Sequence, residues 1–305
     1  MTKYFGILFL YLSVIVGAQD PKSSVLVLGI SQDGGYPHMA CRKACCNNAW
    51  NSDSLKQYIV SLAIVDWKTN EWWLIEATPD IARQIHLFQE LTQGQFPYMP
   101  QGIFITHAHI GHYSGLMQLG REVLNSSKMP VYVLPKMKAF LEQNGPWSQL
   151  VKLENIQIVS LNAGEEKLVS QDNSITPFLV PHRDEYSETA GFRIKCGSRD
   201  YLFIPDIDKW EKWEMGIVEE IKKSDVAFID ATFYHEGELT NRSLEEIPHP
   251  LVVETVKLFE KEEAKHKEKI KFIHFNHTNP LLWSTDLQNH IKSLGFHITI
   301  QGQWY

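Results

Sequence analysis

Short β-branched and aromatic runs, bounded by turn residues, recur along the chain and predict buried strands. In order they are Ser24–Ile30, Tyr58–Asp66, Glu71–Glu76, Gly102–Thr106, Pro130–Leu134, Ile156–Leu161, Ser174–Val180, Thr189–Lys195, Tyr201–Ile204, Val226–Ile229, Lys271–Phe275 and His297–Gln301. Between them, spacing of apolar positions by three and four predicts helices over Thr78–Leu91, Ser114–Leu124, Lys136–Asn144, Trp210–Lys223 and Pro250–Lys269, with one more before the last strand. Thr78 is placed to cap the first of these, with Pro79 at its opening position. The last is long, laced with charge, and ends in basic residues as the helix dipole favours. No repeat or low-complexity linker breaks the chain after residue 18. One α/β domain over 19–305 is expected: two facing sheets made from two strand-rich halves, with helices on the outside.

Residues 1–18 stand apart. Lys3 supplies a positive start, Tyr4–Val16 an apolar run, and Val16-Gly17-Ala18 a small-residue cleavage site before Gln19. This reads as a signal peptide that directs a periplasmic or secreted protein, and it is short for a membrane span. An uncleaved N-terminal anchor is the alternative. No integral span is expected once the signal is removed. Across the 305 residues, 44% apolar and 21% charged content is that of a soluble globular protein. A net charge of −7 without a basic block argues against nucleic acid as the main partner and leaves a small-molecule substrate. Oligomeric state is not legible.

The chemistry concentrates at strand ends. Thr106–Leu116 reads THAHIGHYSGL and sets His107, His109 and His112 at i, i+2 and i+5, just after a buried strand. Imidazole is the commonest metal ligand, and a strand-end loop can converge side chains that one regular helix face cannot. His182 follows the strand before it, Asp206 follows Tyr201–Pro205, His274 and His277 follow Lys271–Ile273, and His249 precedes the long helix. Any one alone reads as an ordinary hydrogen-bonded polar residue. The repeated placement points to a metal centre. Tyr36 and Trp147 are loop aromatics that could line a pocket.

The stretches GISQDGGYPHMAC, EATPDI, HIGHYSGL, FIDATFYHEGEL and HFNHTNP together resemble the metallo-β-lactamase fold superfamily, and more closely its PqqB-like branch, named for pyrroloquinoline-quinone biosynthesis protein B. The resemblance covers almost all of residues 19–305 and implies an αββα sandwich. It assigns His107, His109 and His182 to one divalent ion, and His112 and His274 to a second. Asp206 would bridge the two and count among the catalytic residues. Zinc, manganese or iron would suit such donors, and metal-bound hydroxide would attack a small phosphodiester or related ester. One position departs from the pattern. Gly111 stands where hydrolytic members carry an aspartate ligand, so the second site is left with His112, His274 and Asp206 and a lowered affinity.

The resemblance extends to a tRNA-processing endonuclease and a cyclic phosphodiesterase of phosphonate breakdown. It implies that His249 protonates the leaving oxygen, although a buried helix-capping histidine remains the alternative. Asp208 and Asp230 could orient ligand imidazoles or equally be strand-end turn residues. Cys41, Cys45 and Cys46 with His277 offer a structural zinc site, in which the spacing of His274 and His277 follows the phosphonate-pathway enzyme but the cysteines depart from the usual C-x-C-x-x-C, against a disulfide in an exported protein. Adjacency of Cys45 and Cys46 suggests that one of them does not ligate, and Cys196 reads as a lone packed thiol. Two other functions stay open: a PqqB-like mononuclear iron oxygenase in quinone-cofactor biosynthesis, and a non-catalytic metal-binding protein.

Overall fold

The computed structural model describes residues 22–238 and 249–305. The expected signal peptide, residues 1–18, lies outside them. Among the described residues no helix is long and apolar enough to cross a membrane.

The first half of the chain builds a six-stranded sheet from β1 (Ser23–Gly29), β2 (Ser61–Asp66), β3 (Glu71–Ile75), β4 (Ile103–Phe104), β5 (Met129–Val133) and β6 (Ile156–Ser160), in that spatial order. β1 to β3 pair antiparallel and β3 to β6 parallel. The second half repeats the scheme with seven strands: β7 (Lys167–Leu168), β8 (Asn173–Leu179), β9 (Ala190–Cys196), β10 (Arg199–Ile204), β11 (Val226–Asp230), β12 (Ile270–Ile273) and β13 (His297–Ile298). Here β7 to β10 are antiparallel and β10 to β13 parallel.

Alternation along each strand feeds two separate apolar layers. Val25, Val27, Leu62, Ile64, Trp73, Ile75 and Phe104 face the second sheet and share a core with Phe178, Phe192 and Ile204. Their neighbours Leu26, Leu28, Ala63, Val65, Trp72 and Leu74 face outward, against Ile81, Ile85 and Phe88 of the helix Ile81–Leu91. Trp72 stacks on Phe88 with ring centroids 4.0 Å apart. Burial on both faces is why these strands read as continuous apolar runs. At about 25 cal/mol per Å2, each such aromatic contributes on the order of 2–3 kcal/mol of burial.

Nine α-helices are described: α1 (Ala44–Trp50), α2 (Ile81–Leu91), α3 (Ile110–Tyr113), α4 (Pro135–Gln143), α5 (Trp147–Lys152), α6 (Ile217–Lys223), α7 (Val252–Leu258), α8 (Ala264–Lys267) and α9 (Thr285–Ser293). Several differ from the expected spans. α2 starts at Ile81, and Thr78 instead accepts the Asp80 amide at 3.0 Å while donating to Gln84 Oε1 at 2.7 Å. The expected helix Ser114–Leu124 is the short α3 followed by a 3-10 turn, Ser114–Leu119, so His112 lies inside a helix. Trp210–Lys223 breaks at Gly216, whose φ of 73° ends one turn and opens α6. Pro250–Lys269 divides into α7 and α8, because no apolar residue between Phe259 and Ala264 holds a continuous helix against the sheet. Tyr36 is packed in the N-terminal loop, its hydroxyl donating to the Cys45 carbonyl at 2.6 Å, and Trp147 packs against Tyr113 and Phe140.

Candidate metal centre

Parallel strands end on a common edge, and the residues just past those ends converge there. Glu76 follows β3, His107 follows β4, Asp206 follows β10, Asp230 closes β11 and His274 follows β12. His182 arrives from the end of β8 and His249 from the segment before α7. Two of these positions carry unusual backbone: Glu76 and His274 are fully buried with φ of 72° and 67°. A non-glycine residue in that region costs on the order of 1 kcal/mol, a strain the surrounding structure must hold in place.

The expected ligand sets come together. His107, His109, His182 and Asp206 form one cluster, and His112 and His274 form another with Asp33, each cluster's ligand atoms lying within 4.8 Å of one another. His107 Nε2 is 3.2 Å, His109 Nδ1 3.6 Å and His112 Nε2 3.8 Å from Asp206 Oδ2, while His182 Nε2 is 3.2 Å from Oδ1. Asp206 therefore sits between both sets. His249 joins a further cluster with Asp206, Asp230 and His274. It does not cap α7, whose N-cap is Leu251.

Four of the imidazoles, His107, His182, His274 and His249, are held by a hydrogen-bond partner on Nδ1, as ligand histidines are. His107 Nδ1 donates to Thr106 Oγ1 at 2.9 Å, and that hydroxyl donates to Glu76 Oε1 at 2.5 Å. His112 Nδ1 is 3.2 Å from the same Glu76 oxygen. His182 Nδ1 faces Asp208 Oδ1 at 3.2 Å. His274 Nδ1 donates to Thr232 Oγ1 at 2.9 Å, which donates in turn to Asp230 Oδ1 at 2.7 Å. His249 Nδ1 lies 2.8 Å from Asp230 Oδ2. Asp208 and Asp230 thus occupy the orienting positions expected of them.

These arrangements leave His107 Nε2, His112 Nε2, His274 Nε2, Asp206 Oδ1 and Asp33 Oδ1 buried without hydrogen-bond partners. Buried polar atoms are otherwise nearly always satisfied. Orphaned lone pairs converging from imidazoles and carboxylates are the donor set that divalent ions accept, so the residues fit a metal centre. Electrostatics agree. Burial pushes His107 well below its ordinary pKa and His274 down to about 4, which keeps both neutral. Burial alone would raise Asp206, but the imidazoles of His182 and His249 outweigh it and hold the carboxyl well below the usual range. His182 is pushed up to about 10, as the Asp206 and Asp208 carboxylates overcome its burial. An ion would displace that proton on binding. His109 is the ligand that faces solvent, 14% exposed at the side chain, whereas Asp206 is 2% exposed.

Two residues here were not anticipated. Glu76 lay in EATPDI as a strand end with no ligand spacing to mark it. Asp33 lay in the glycine-bearing loop after β1 and now stands 3.2 Å from His112 Nε2, beside Gly111. The second cluster consequently holds one carboxylate more than expected.

A separate cluster forms above the rim: Cys41, Cys45, Cys46 and His277 bring their ligand atoms within 4.8 Å. Cys46 Sγ is 3.4 Å and Cys45 Sγ 3.8 Å from His277 Nδ1. All three sulfurs are therefore in reach, although Cys45 and Cys46 are adjacent. No disulfide joins them, and Cys196 is a lone buried thiol.

Residues 71–275, more than half of the chain, match the family model described as a beta-lactamase superfamily domain. In sequence the chain is 24% identical over 285 residues to a coenzyme PQQ synthesis protein B of Methylorubrum extorquens, covering 85% of this chain and 91% of that protein. In structure it is similar to zinc-bound PqqB from Methylobacterium extorquens, with a TM-score of 0.76 and 20% identity over 92% of this chain and 99% of the other. A diphosphatase from the PhnP family follows with a TM-score of 0.63 and 20% identity, over 93% and 96% of the two chains. Taken with the two facing mixed sheets and the strand-edge clusters, these matches show that the chain belongs to the β-lactamase domain superfamily, with a metallo-β-lactamase fold of PqqB-like type.

Proposed function

We propose that the protein is a metal-dependent hydrolase of a small phosphodiester or related ester. The observation that carries this reading is the pair of imidazole-and-carboxylate clusters sharing Asp206, with His249 and its orienting Asp230 beside them. His107, His109, His182 and Asp206 would hold one divalent ion, zinc, manganese or iron, and His112, His274 and Asp206 a second. Ions in such a site supply Lewis acidity that activates water and stabilises negative charge on the substrate.

His249 is the proton donor. Its Nδ1–H is engaged by Asp230, which leaves Nε2 as the atom free to exchange a proton with substrate. Burial opposes its protonation, but Asp230 and Asp206 outweigh that and raise its pKa above the ordinary value. The apolar start of the chain supports export, which N-terminal sequencing of the mature protein near Gln19 would check.

General acid catalysis matters most when the leaving group is basic. His249→Ala is therefore expected to slow hydrolysis of an alkyl phosphodiester by about 100-fold or more. It should slow bis(p-nitrophenyl) phosphate far less, since that leaving group needs no proton, with metal content unchanged. Equal losses on both substrates would refute the proton-donor role. The sequence relatives, coenzyme PQQ synthesis protein B, favour a second reading, a role in quinone-cofactor synthesis, and the resemblance implies that such a role would be iron-dependent and oxidative. Oxygen uptake by the ferrous protein, without ester hydrolysis, would select it.

A further inference from the structure

We propose that Asp33 is the carboxylate ligand of the second divalent ion, delivered from the loop after β1 into the space that Gly111 leaves open. This rests on the metal-centre reading above and completes it.

Steric exclusion is the first argument. A Cβ at residue 111 would come within 2.2 Å of Asp33 Oδ1, 2.5 Å of its Cα and 2.9 Å of its Cβ. Contacts with Cα and Cβ cannot be relieved by rotating a side chain. A residue larger than glycine at 111 and an inward Asp33 are therefore mutually exclusive. The motif lacks its carboxylate at the one place where another segment brings a carboxylate in.

Asp33 also meets the requirements of a ligand. Its Oδ1 is buried without a hydrogen-bond partner and lies 3.2 Å from His112 Nε2. The ligand atoms of Asp33, His112 and His274 fall within 4.8 Å of one another. The two imidazoles are fully buried, and neither Nε2 has a hydrogen-bond partner. An oxygen there gives the second site a carboxylate besides the shared Asp206, so that His112, His274, Asp33 and Asp206 make four donors, as many as the first site has.

The loop is built to hold that position. Gln32 N donates to the Phe275 carbonyl at 2.9 Å, tying Asp33 to the residue after His274. Ser31 bridges both Ile59 and Phe275 in parallel register. Gly35, with φ of 68°, closes a turn by donating to the Gln32 carbonyl at 2.8 Å, and so carries the chain away from the site.

Manganese(II) is the probe, because nitrogen and oxygen donors accept it and a thiolate cluster does not favour it. Electron paramagnetic resonance would follow titration of wild type and Asp33→Asn, with near-ultraviolet circular dichroism checking that each is folded. The wild type should give the exchange-coupled signal of two bridged ions. Asp33→Asn, nearly isosteric, should give an isolated-ion signal, with the second ion bound about 100-fold more weakly. A coupled signal in Asp33→Asn at wild-type affinity overturns the role of Asp33 and leaves the metal centre standing. Failure of the wild type to bind manganese, zinc or iron at the histidine clusters overturns the centre itself and this inference with it.

Discussion

Glu76 is the residue whose removal tests the organisation of the metal centre most directly. Its carboxylate accepts from Thr106 Oγ1, which orients His107, and it also faces Nδ1 of His112 at 3.2 Å. One buried group therefore sets the ring nitrogens of a histidine in each cluster. Glu76→Gln keeps size and one oxygen, so Thr106 and His107 retain their chain. At His112 the outcome differs, because the neutral amide oxygen no longer sets a negative charge beside Nδ1, which leaves Nε2 a weaker donor to an ion. Removing an orienting partner of a ligand histidine typically weakens metal binding by about 10–100-fold, roughly 1.4–2.7 kcal/mol. The loss should fall on the cluster containing His112 and spare that of His107. Glu76→Ala removes both acceptors, so each cluster should weaken, and the orphaned Thr106 hydroxyl adds about 1–3 kcal/mol of lost stability. Zinc titration against a competing chelator at fixed pH reads the affinities, and a thermal melt of the metal-free protein reads stability. Wild-type affinity at both clusters in Glu76→Gln would refute this account.

Further outcomes follow from features away from that carboxylate. With a structural ion at Cys41, Cys45, Cys46 and His277, a thiol reagent should find no reactive group in the native protein and three after chelation; Cys196, pushed up to about 12 by burial, should appear only in denaturant. A disulfide in that cluster would instead leave fewer thiols at every stage. Gly115→Ala places a Cβ 2.0 Å from the Thr78 carbonyl oxygen, so the turn after His112 must move, at a cost of about 1–3 kcal/mol seen as a lower Tm. Glu220, buried under Arg193 and Lys223, is held below the ordinary carboxylate value of 4.5 because those cations outweigh its burial. Its contribution is complete above that value and lost as pH falls through the folded pKa. Arg193→Leu should flatten the acid limb of the stability profile, and an unchanged limb would exclude Glu220 as its source.

Most of the architecture was legible because burial on both faces leaves a plain mark in the strands. So was the convergence of the candidate donors, since His107, His109 and His112 are neighbours in sequence and His182, Asp206 and His274 repeat one placement after a strand. Helix lengths were less legible. Gly216 in the left-handed region and the apolar gap after Phe259 break helices that charge and periodicity alone would continue. Glu76 and Asp33 escaped for a different reason. Neither has a spacing to betray it, and each matters through a contact across the fold, to Thr106 and His112 in one case and to Gly111 in the other. The paired glycines after Asp33 marked its loop as a close approach without saying to what.

The strand-edge clusters draw on both sheets, and the cysteine cluster joins the loop after β1 to His277. His107 and His109 meet His182 and Asp206, and Asp33 and His112 meet His274. The register between the two sheets thus acts as a gauge for the spacing of the donors. Interdigitated rings such as Phe104 against Phe192, centroids 6.1 Å apart, carry that gauge well away from any ligand. A slip of one sheet on the other would mis-set both ligand sets together. Substitutions deep in the inter-sheet layer are therefore a route to changing which ion fits, without touching any residue that binds it.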